Sequence, residues 1–191
     1  MGRRLLFLGP QGVGKGTQAA KVAQLIGVPH VSTGDMLRQA VAEGTDLGMQ
    51  AKALMEAGDL VPDELVVAMV KERFAKPDAL CGYLLDGFPR NQAQAEALDV
   101  AMNGEAIELV ISMTADEDEL LRRMQERAER EGRSDDTPEA MKRRLALYWD
   151  ETAPLTEYYP TQQVRVAAVD GMGTIDEVFH RIVAAIAELD P

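Results

Sequence analysis

A single cysteine, Cys81, excludes an intramolecular disulfide, and with His30 and His180 as the only histidines no zinc cluster can be assembled. No apolar run approaches the length needed to cross a bilayer. The run Leu5-Leu6-Phe7-Leu8 is cut short by a glycine-rich stretch, so no secretory hydrophobic region is read there and the cytoplasm is the expected location. Positive charge is also scarce: 20 Lys and Arg against 32 Asp and Glu give a net charge of −12. That balance argues against a general nucleic-acid surface. An acidic chain that binds a polyanion must gather its cations locally, so the placement of the arginines becomes informative.

What is present is the composition of one soluble domain: 191 residues, 46% hydrophobic and 27% charged, enough to bury a substantial core. The chain is organised around residues 9–17, Gly-Pro-Gln-Gly-Val-Gly-Lys-Gly-Thr. An apolar strand precedes them and an amphipathic helix follows. Gly9, Gly14 and Lys15 fit the phosphate-loop spacing G-x-x-x-x-G-K. Glycines let backbone N–H groups approach an anion, the helix start aims its positive end at the same point, and Lys15 adds a full charge. The residue after the lysine is Gly16 followed by Thr17, where GTPases and motor ATPases place a magnesium-binding hydroxyl directly.

Taken in order, residues 4–8 read as a buried parallel strand and the loop helix runs to about Leu25, stopping at Gly27. Residues 28–32 read as a second strand, in which His30 is a strand residue rather than a catalyst. Ser32 or Thr33 can cap the next helix. Helices are expected near 36–43 and 46–57, then from Pro62, at a first helical position, to about Phe74. The third strand, Tyr83-Leu84-Leu85, ends in Asp86-Gly87-Phe88-Pro89-Arg90. Asp86 stands where phosphate-loop enzymes hold Mg²⁺, although a strand-end turn would give the same pattern. A helix over 91–102, a strand over 106–113 and a charged helix over 116–131 follow. On the last, Arg123 and Arg127 share a face, while Arg122 and Arg130 are flanked by acids and read as solvated.

Thr137 caps another helix with Pro138 in its first position; that helix carries Arg144 and is expected to kink at Pro154 and end before Pro160. Tyr148, Trp149, Tyr158 and Tyr159 are read as core packing, and Cys81 as a buried small residue beside the third strand. A strand over 163–169 and a helix over 174–189 close the chain. This order predicts an α/β fold, a three-layer α/β/α sandwich with a five-stranded parallel sheet.

The residues quoted so far resemble those of the adenylate kinase family, in its short-lid form, over the whole chain. The matches are the G-K-G-T loop, Ser32-Thr33-Gly34-Asp35-x-Leu37-Arg38, Gly58-x-Leu60-Val61-Pro62-Asp63, Asp86-Gly87-Phe88-Pro89-Arg90 with Gln94, Gly132-Arg133-x-Asp135-Asp136, and Arg144. The resemblance implies a single phosphate-loop kinase domain with a core of residues 1–31, 62–125 and 137–191, a monophosphate-binding segment 32–61 and a short lid 126–136. It implies the reaction ATP + AMP ⇌ 2 ADP with Mg²⁺ and no structural zinc. Its partners would be ATP, AMP and ADP, with no nucleic acid and no membrane, and it would act as a monomer. Gly12, Val13, Gly14, Lys15, Gly16 and Thr17 would cradle the ATP phosphates, Arg123 and Arg127 would serve ATP, and Gly173 would lie against its adenine. Thr33, Arg38, Asp59, Leu60, Val61, Gly87, Phe88, Pro89, Arg90 and Gln94 would hold AMP. Arg133 and Arg144 would reach AMP and the transferring phosphoryl group, joining Lys15, Arg90 and Arg123 in catalysis. Asp86 would hold Mg²⁺ through its waters.

Phosphoryl transfer asks for two aligned polyanions, neutralised charge and excluded water rather than a general base, which suits a chain this poor in histidine. The segments 32–61 and 126–136 would close over the substrates to keep water out. Two rivals remain: a uridylate or cytidylate kinase, against which Thr33 and Gln94 stand, and a phosphate-loop switch protein, which would have no use for a second nucleotide site. Gln11 and Asp59 depart from the family pattern, as does the absence of the longer lid, sometimes zinc-binding, of many bacterial relatives.

Overall fold

The computed structural model describes residues 3–102, 107–132 and 135–189. Five strands, β1 (Arg4–Leu8), β2 (His30–Ser32), β3 (Tyr83–Asp86), β4 (Leu109–Thr114) and β5 (Arg165–Asp170), form one sheet in the order β2-β3-β1-β4-β5. Every pairing is parallel; Leu6 of β1 lies opposite Leu85 on one side and Val110 on the other. The sheet and its flanking helices bear out the expected three-layer α/β architecture.

Side chains alternate across a strand, so each strand feeds two cores. On one face Leu6, Leu8, Val31, Leu85 and Val110 pack with α4 (Asp63–Phe74), α5 (Gln92–Ala101) and α8 (Leu155–Thr161). On the other face Leu5, Phe7, Leu84, Leu109, Ile111 and Met113 pack with α1 (Lys15–Ile26), α6 (Glu117–Glu131), α7 (Pro138–Leu147) and α9 (Ile175–Ala187). Burial on both faces explains why β1 and β4 are nearly unbroken apolar runs. Their carboxyl ends all point to one edge, and the loops leaving that edge build the site.

The excursion between β2 and α4 consists of α2 (Thr33–Glu43) and α3 (Asp46–Ala57). Ser32 is the cap of α2, its hydroxyl accepting from the Asp35 N–H, and Thr45 caps α3 in the same way. The two helices touch at Gly48, where a Cβ would stand 2.0 Å from the Ala40 carbonyl oxygen.

Several expectations need correction. The helix that starts after Thr137 gives way to a π turn at Tyr148–Thr152, breaks at Pro154 as anticipated, and resumes as α8 through Pro160. Pro160 stands one residue before the end of this short helix, and its carbonyl accepts the Gln163 N–H at 3.0 Å. Cys81 is exposed, because the turn before β3 sends Ala79 and Tyr83 inward instead. Trp149 is 47% exposed on the π turn, whereas Tyr148 and Tyr159 are buried. Pro62 is the cap of α4 rather than its first residue, and β4 starts at Leu109; Ala106, read as a strand residue, lies outside the described residues.

Candidate active site

A cleft of about 840 Å³ opens at the carboxyl edge of the sheet. Its floor is the loop between β1 and α1. Two glycines there admit no other residue without strain. Gly12 has φ 87° and passes so close to α6 that a Cβ would lie 2.6 Å from the Leu120 carbonyl oxygen. Gly14, with φ 102°, sets the first turn of α1 so that its N–H groups face the cleft.

Lys15 Nζ donates to the carbonyls of Gly9 at 2.6 Å and Pro10 at 3.0 Å. Burial pushes its pKa down to about 8; Asp86 opposes that shift, and Arg90 and Arg127 add to it. Asp86, at the end of β3, is buried beside this lysine, and its Oδ2 lies 3.7 Å from where a Cβ on Gly16 would stand. A larger residue after the lysine would crowd that carboxylate, a physical reason for glycine there. His30 Nε2 is 3.5 Å from Asp86 Oδ2 without forming a hydrogen bond, a neighbour that strand position alone did not reveal.

The arginines converge, each fixed by a carboxylate or a backbone carbonyl. Glu119 sits one turn before Arg123 and accepts its Nε–H at 2.7 Å; it also accepts from Arg122, and together they hold its carboxyl down at about 2. Arg123 then reaches across to the Gly171 carbonyl at 3.0 Å, tying α6 to the turn before α9. Arg127 meets Asp136 with two hydrogen bonds of 2.9 Å. Arg144 binds Asp136 and Asp135 at 2.7 Å each, and the Met55 carbonyl of α3 at 3.0 Å. Arg90 donates to the Gly87 carbonyl at 2.9 Å; burial and the neighbouring Arg144 lower its pKa to about 10. Arg38 pairs with Asp35 at 2.5 Å.

On the opposite wall Thr33 donates to the Gly87 carbonyl at 2.8 Å, and buried Gln94 accepts from the Arg90 backbone N–H at 2.8 Å. Gly87, with φ 80°, approaches Thr33 so closely that a Cβ would sit 2.9 Å from its hydroxyl.

Every site residue expected from the sequence that falls among the described residues lines this cleft, except Phe88. Phe88 is a correction: its ring is 1% exposed in the apolar core, where it anchors the turn that offers Gly87, Pro89 and Arg90 to the cleft. Arg133 lies outside the described residues. Asp59 borders the cleft, but its carboxylate turns to accept from Arg143 at 2.8 Å. Residues that sequence reasoning passed over include Thr152, whose hydroxyl donates to the Arg90 carbonyl at 2.6 Å, and Tyr148, which lines the cleft beside it. Glu119 could have been found from its four-residue spacing to Arg123; for Thr152 no local signal exists.

A glycine-rich anion cradle on a parallel sheet, faced by a ring of guanidinium groups, defines a phosphate-loop nucleotide-binding enzyme. Comparison with known proteins makes this specific. The adenylate kinase family model matches residues 7–164. An adenylate kinase of Stenotrophomonas maltophilia is 46% identical over 185 residues, 96% of this chain and 98% of the relative. One from a Nocardioides species is 47% identical, covering 96% of both chains, and one from Thermobifida fusca is 46% identical over 96% of this chain and 97% of its own. The chain belongs to the adenylate kinase family and is a phosphotransferase.

Proposed function

We propose that the chain transfers a phosphoryl group reversibly between ATP and AMP to give two ADP, with the donor on the phosphate loop and the acceptor against α2, Thr33 and Gln94. The observation that carries this reading is the convergence of Lys15, Arg38, Arg90, Arg123, Arg127 and Arg144 on one cleft of a strongly acidic protein. So many cations suit a triphosphate and a monophosphate meeting end to end, and planar guanidinium groups suit phosphate oxygens.

On this reading the loop of residues 12–17 and Lys15 cradle the donor's phosphates, Arg123 and Arg127 neutralise the donor, and Gly173 borders its base. Arg38 and Arg90 hold the acceptor phosphate, the backbone of residues 59–61 and Gly87 frame its nucleoside, and Arg144 spans the two halves. Each guanidinium is already oriented by a carboxylate or carbonyl, so little reorganisation is needed as charge develops on the transferring group. Segment 32–61 and the short lid 126–136, the proposed home of Arg133 as a catalytic cation, close to exclude water. Asp86 fits a magnesium ion held through water: it is an acid at the strand end beside the lysine, with the open side of Gly16 next to it. When bound, Mg²⁺ would draw charge from the donor phosphates.

A cytoplasmic monomer is the matching proposal for the state of the protein. No helix among the described residues is long and apolar enough to cross a membrane. The large exposed apolar residues, among them Leu25, Met49, Val100 and Ile175, sit on different elements.

The test is a parallel assay of AMP, CMP, UMP and GMP as acceptors with ATP and Mg²⁺. AMP should be preferred at least about a hundredfold in kcat/KM, because a wrong base leaves buried polar groups unpaired at about 1–3 kcal/mol each. Equal use of CMP or UMP would return the uridylate or cytidylate kinase; phosphorylation of none would return the switch protein.

A further inference from the structure

Gln94 carries an amide whose two ends are chemically different but nearly equal in shape, and it can read a base only if something decides which end points where. We propose that Asp63 makes that decision: it is a specificity-determining positioning residue that locks the Gln94 amide in one orientation. The proposal rests on the reading of Gln94 as a base contact.

Gln94 is 2% exposed and borders the cleft. Its Nε2 donates to Asp63 Oδ1 at 2.6 Å, and its Oε1 accepts the Arg90 backbone N–H at 2.8 Å. A carboxylate can only accept and a backbone N–H can only donate. Flipping the amide would therefore set oxygen against oxygen and N–H against N–H, two faults at a buried site. One N–H and one oxygen lone pair of the amide remain, in fixed order, for a ligand. A donor and an acceptor side by side match the adenine edge, with its exocyclic amine and ring nitrogen; reversed, the pair would suit a base with the opposite pattern.

The Asp63 carboxylate is itself well fixed. It occupies the first turn of α4, where the helix dipole favours negative charge, and it also accepts from Asn91 Nδ2 at 3.3 Å to each oxygen. Asn91 in turn caps α5 by accepting the Gln94 backbone N–H at 2.8 Å. Thus Asp63 bridges α4 and α5 and touches the reading residue.

The experiment compares wild type, Asp63→Ala and Asp63→Asn with AMP and GMP as acceptors, since guanine offers a ring N–H and a carbonyl where adenine offers a ring nitrogen and an amine. Asn keeps a carbonyl oxygen in the same place and serves as the rescue. Asp63→Ala should compress the AMP-over-GMP preference by about tenfold or more, through a KM for AMP raised about tenfold while KM for ATP stays within about twofold. Asp63→Asn should retain most of the wild-type preference. If Asp63→Ala fails to fold, Asp63→Ser, too short to reach Gln94 but a good first-turn residue, takes its place. Unchanged preference in the Ala or Ser variant would overturn the role of Asp63. So would an equal rise in both KM values, the mark of general loosening, or failure of Asn to rescue. A wild type that itself uses GMP as well as AMP would sink the base-reading assignment instead, and is seen before any variant is made.

Discussion

Asp136 and Arg144 meet at 2.7 Å across the base of the short lid, and the Asp136 side chain has no exposure to solvent. The same carboxylate takes two hydrogen bonds from Arg127, so one acid orients two cleft arginines. Removing it would strip the part-buried Arg127 of its carboxylate and leave Arg144 with Asp135 as its one acid, a loss of about 3–5 kcal/mol. Asp136→Ala should lower Tm by roughly 6–15 °C for a domain of this size. It should also cut kcat, since Arg127 loses its carboxylate and Arg144 keeps only Asp135 and the Met55 carbonyl. Calorimetry and steady-state rates check the two effects separately.

Arg143 and Arg144 are adjacent in sequence but differ in environment. Arg143 is exposed and pairs with Asp59, while Arg144 is held by two buried acids and the Met55 carbonyl. An exposed ion pair contributes about 0–1 kcal/mol. Arg143→Ala should therefore leave kcat/KM within about twofold. Arg144→Ala should reduce it about a hundredfold or more, the loss expected for a cation facing the transferring charge.

Lys15 gives a pH dependence. With its pKa depressed to about 8 by burial, the free enzyme loses the loop cation as pH rises through that value. Bound phosphates would favour the charged form, so the fall should show in kcat/KM for ATP and not in kcat. Lys15→Met should fold, turn over at least about a hundredfold more slowly, and lack the inflection. Stability moves the other way. Between about 8 and the ordinary 10.5 the unfolded chain binds the proton that the folded chain has shed, so wild type should gain stability relative to Lys15→Met as pH rises. Urea midpoints at pH 7.5 and 9.5 measure it.

Gly48 is where α2 and α3 touch through backbone. A methyl group there would sit 2.0 Å from the Ala40 carbonyl oxygen, so the helices would have to part. Gly48→Ala should cost about 1–3 kcal/mol and weaken AMP binding while sparing KM for ATP. Gly132→Ala is the control. Its φ of 60° carries strain, but a Cβ there meets no neighbour within 4 Å, so the cost should be smaller. Thermal melts of the two variants decide it.

The phosphate loop, the order of strands and helices, and the cations of the cleft could all be read along the chain, because each rests on local chemistry. Glycine at positive φ, a lysine at a helix start and apolar runs between turns are properties of neighbours in sequence. The sequence by itself thus determined the class of fold, the loop that grips phosphate and most of the residues that face the cleft. The tertiary structure decided what those residues lean on. That Asp136 anchors Arg127 and Arg144, that Thr152 braces the Arg90 carbonyl, that His30 lies beside Asp86 and that Asp63 orients Gln94 are contacts between separate elements. Except for the short reach from Arg127 and Arg144 to Asp136, they join residues far apart along the chain. It also decided against burial of Cys81 and Trp149 and turned Phe88 into the core rather than the cleft. The reason is physical: composition and period say that a side chain is apolar or charged, but the face it presents depends on where a turn of two or three residues sends the backbone.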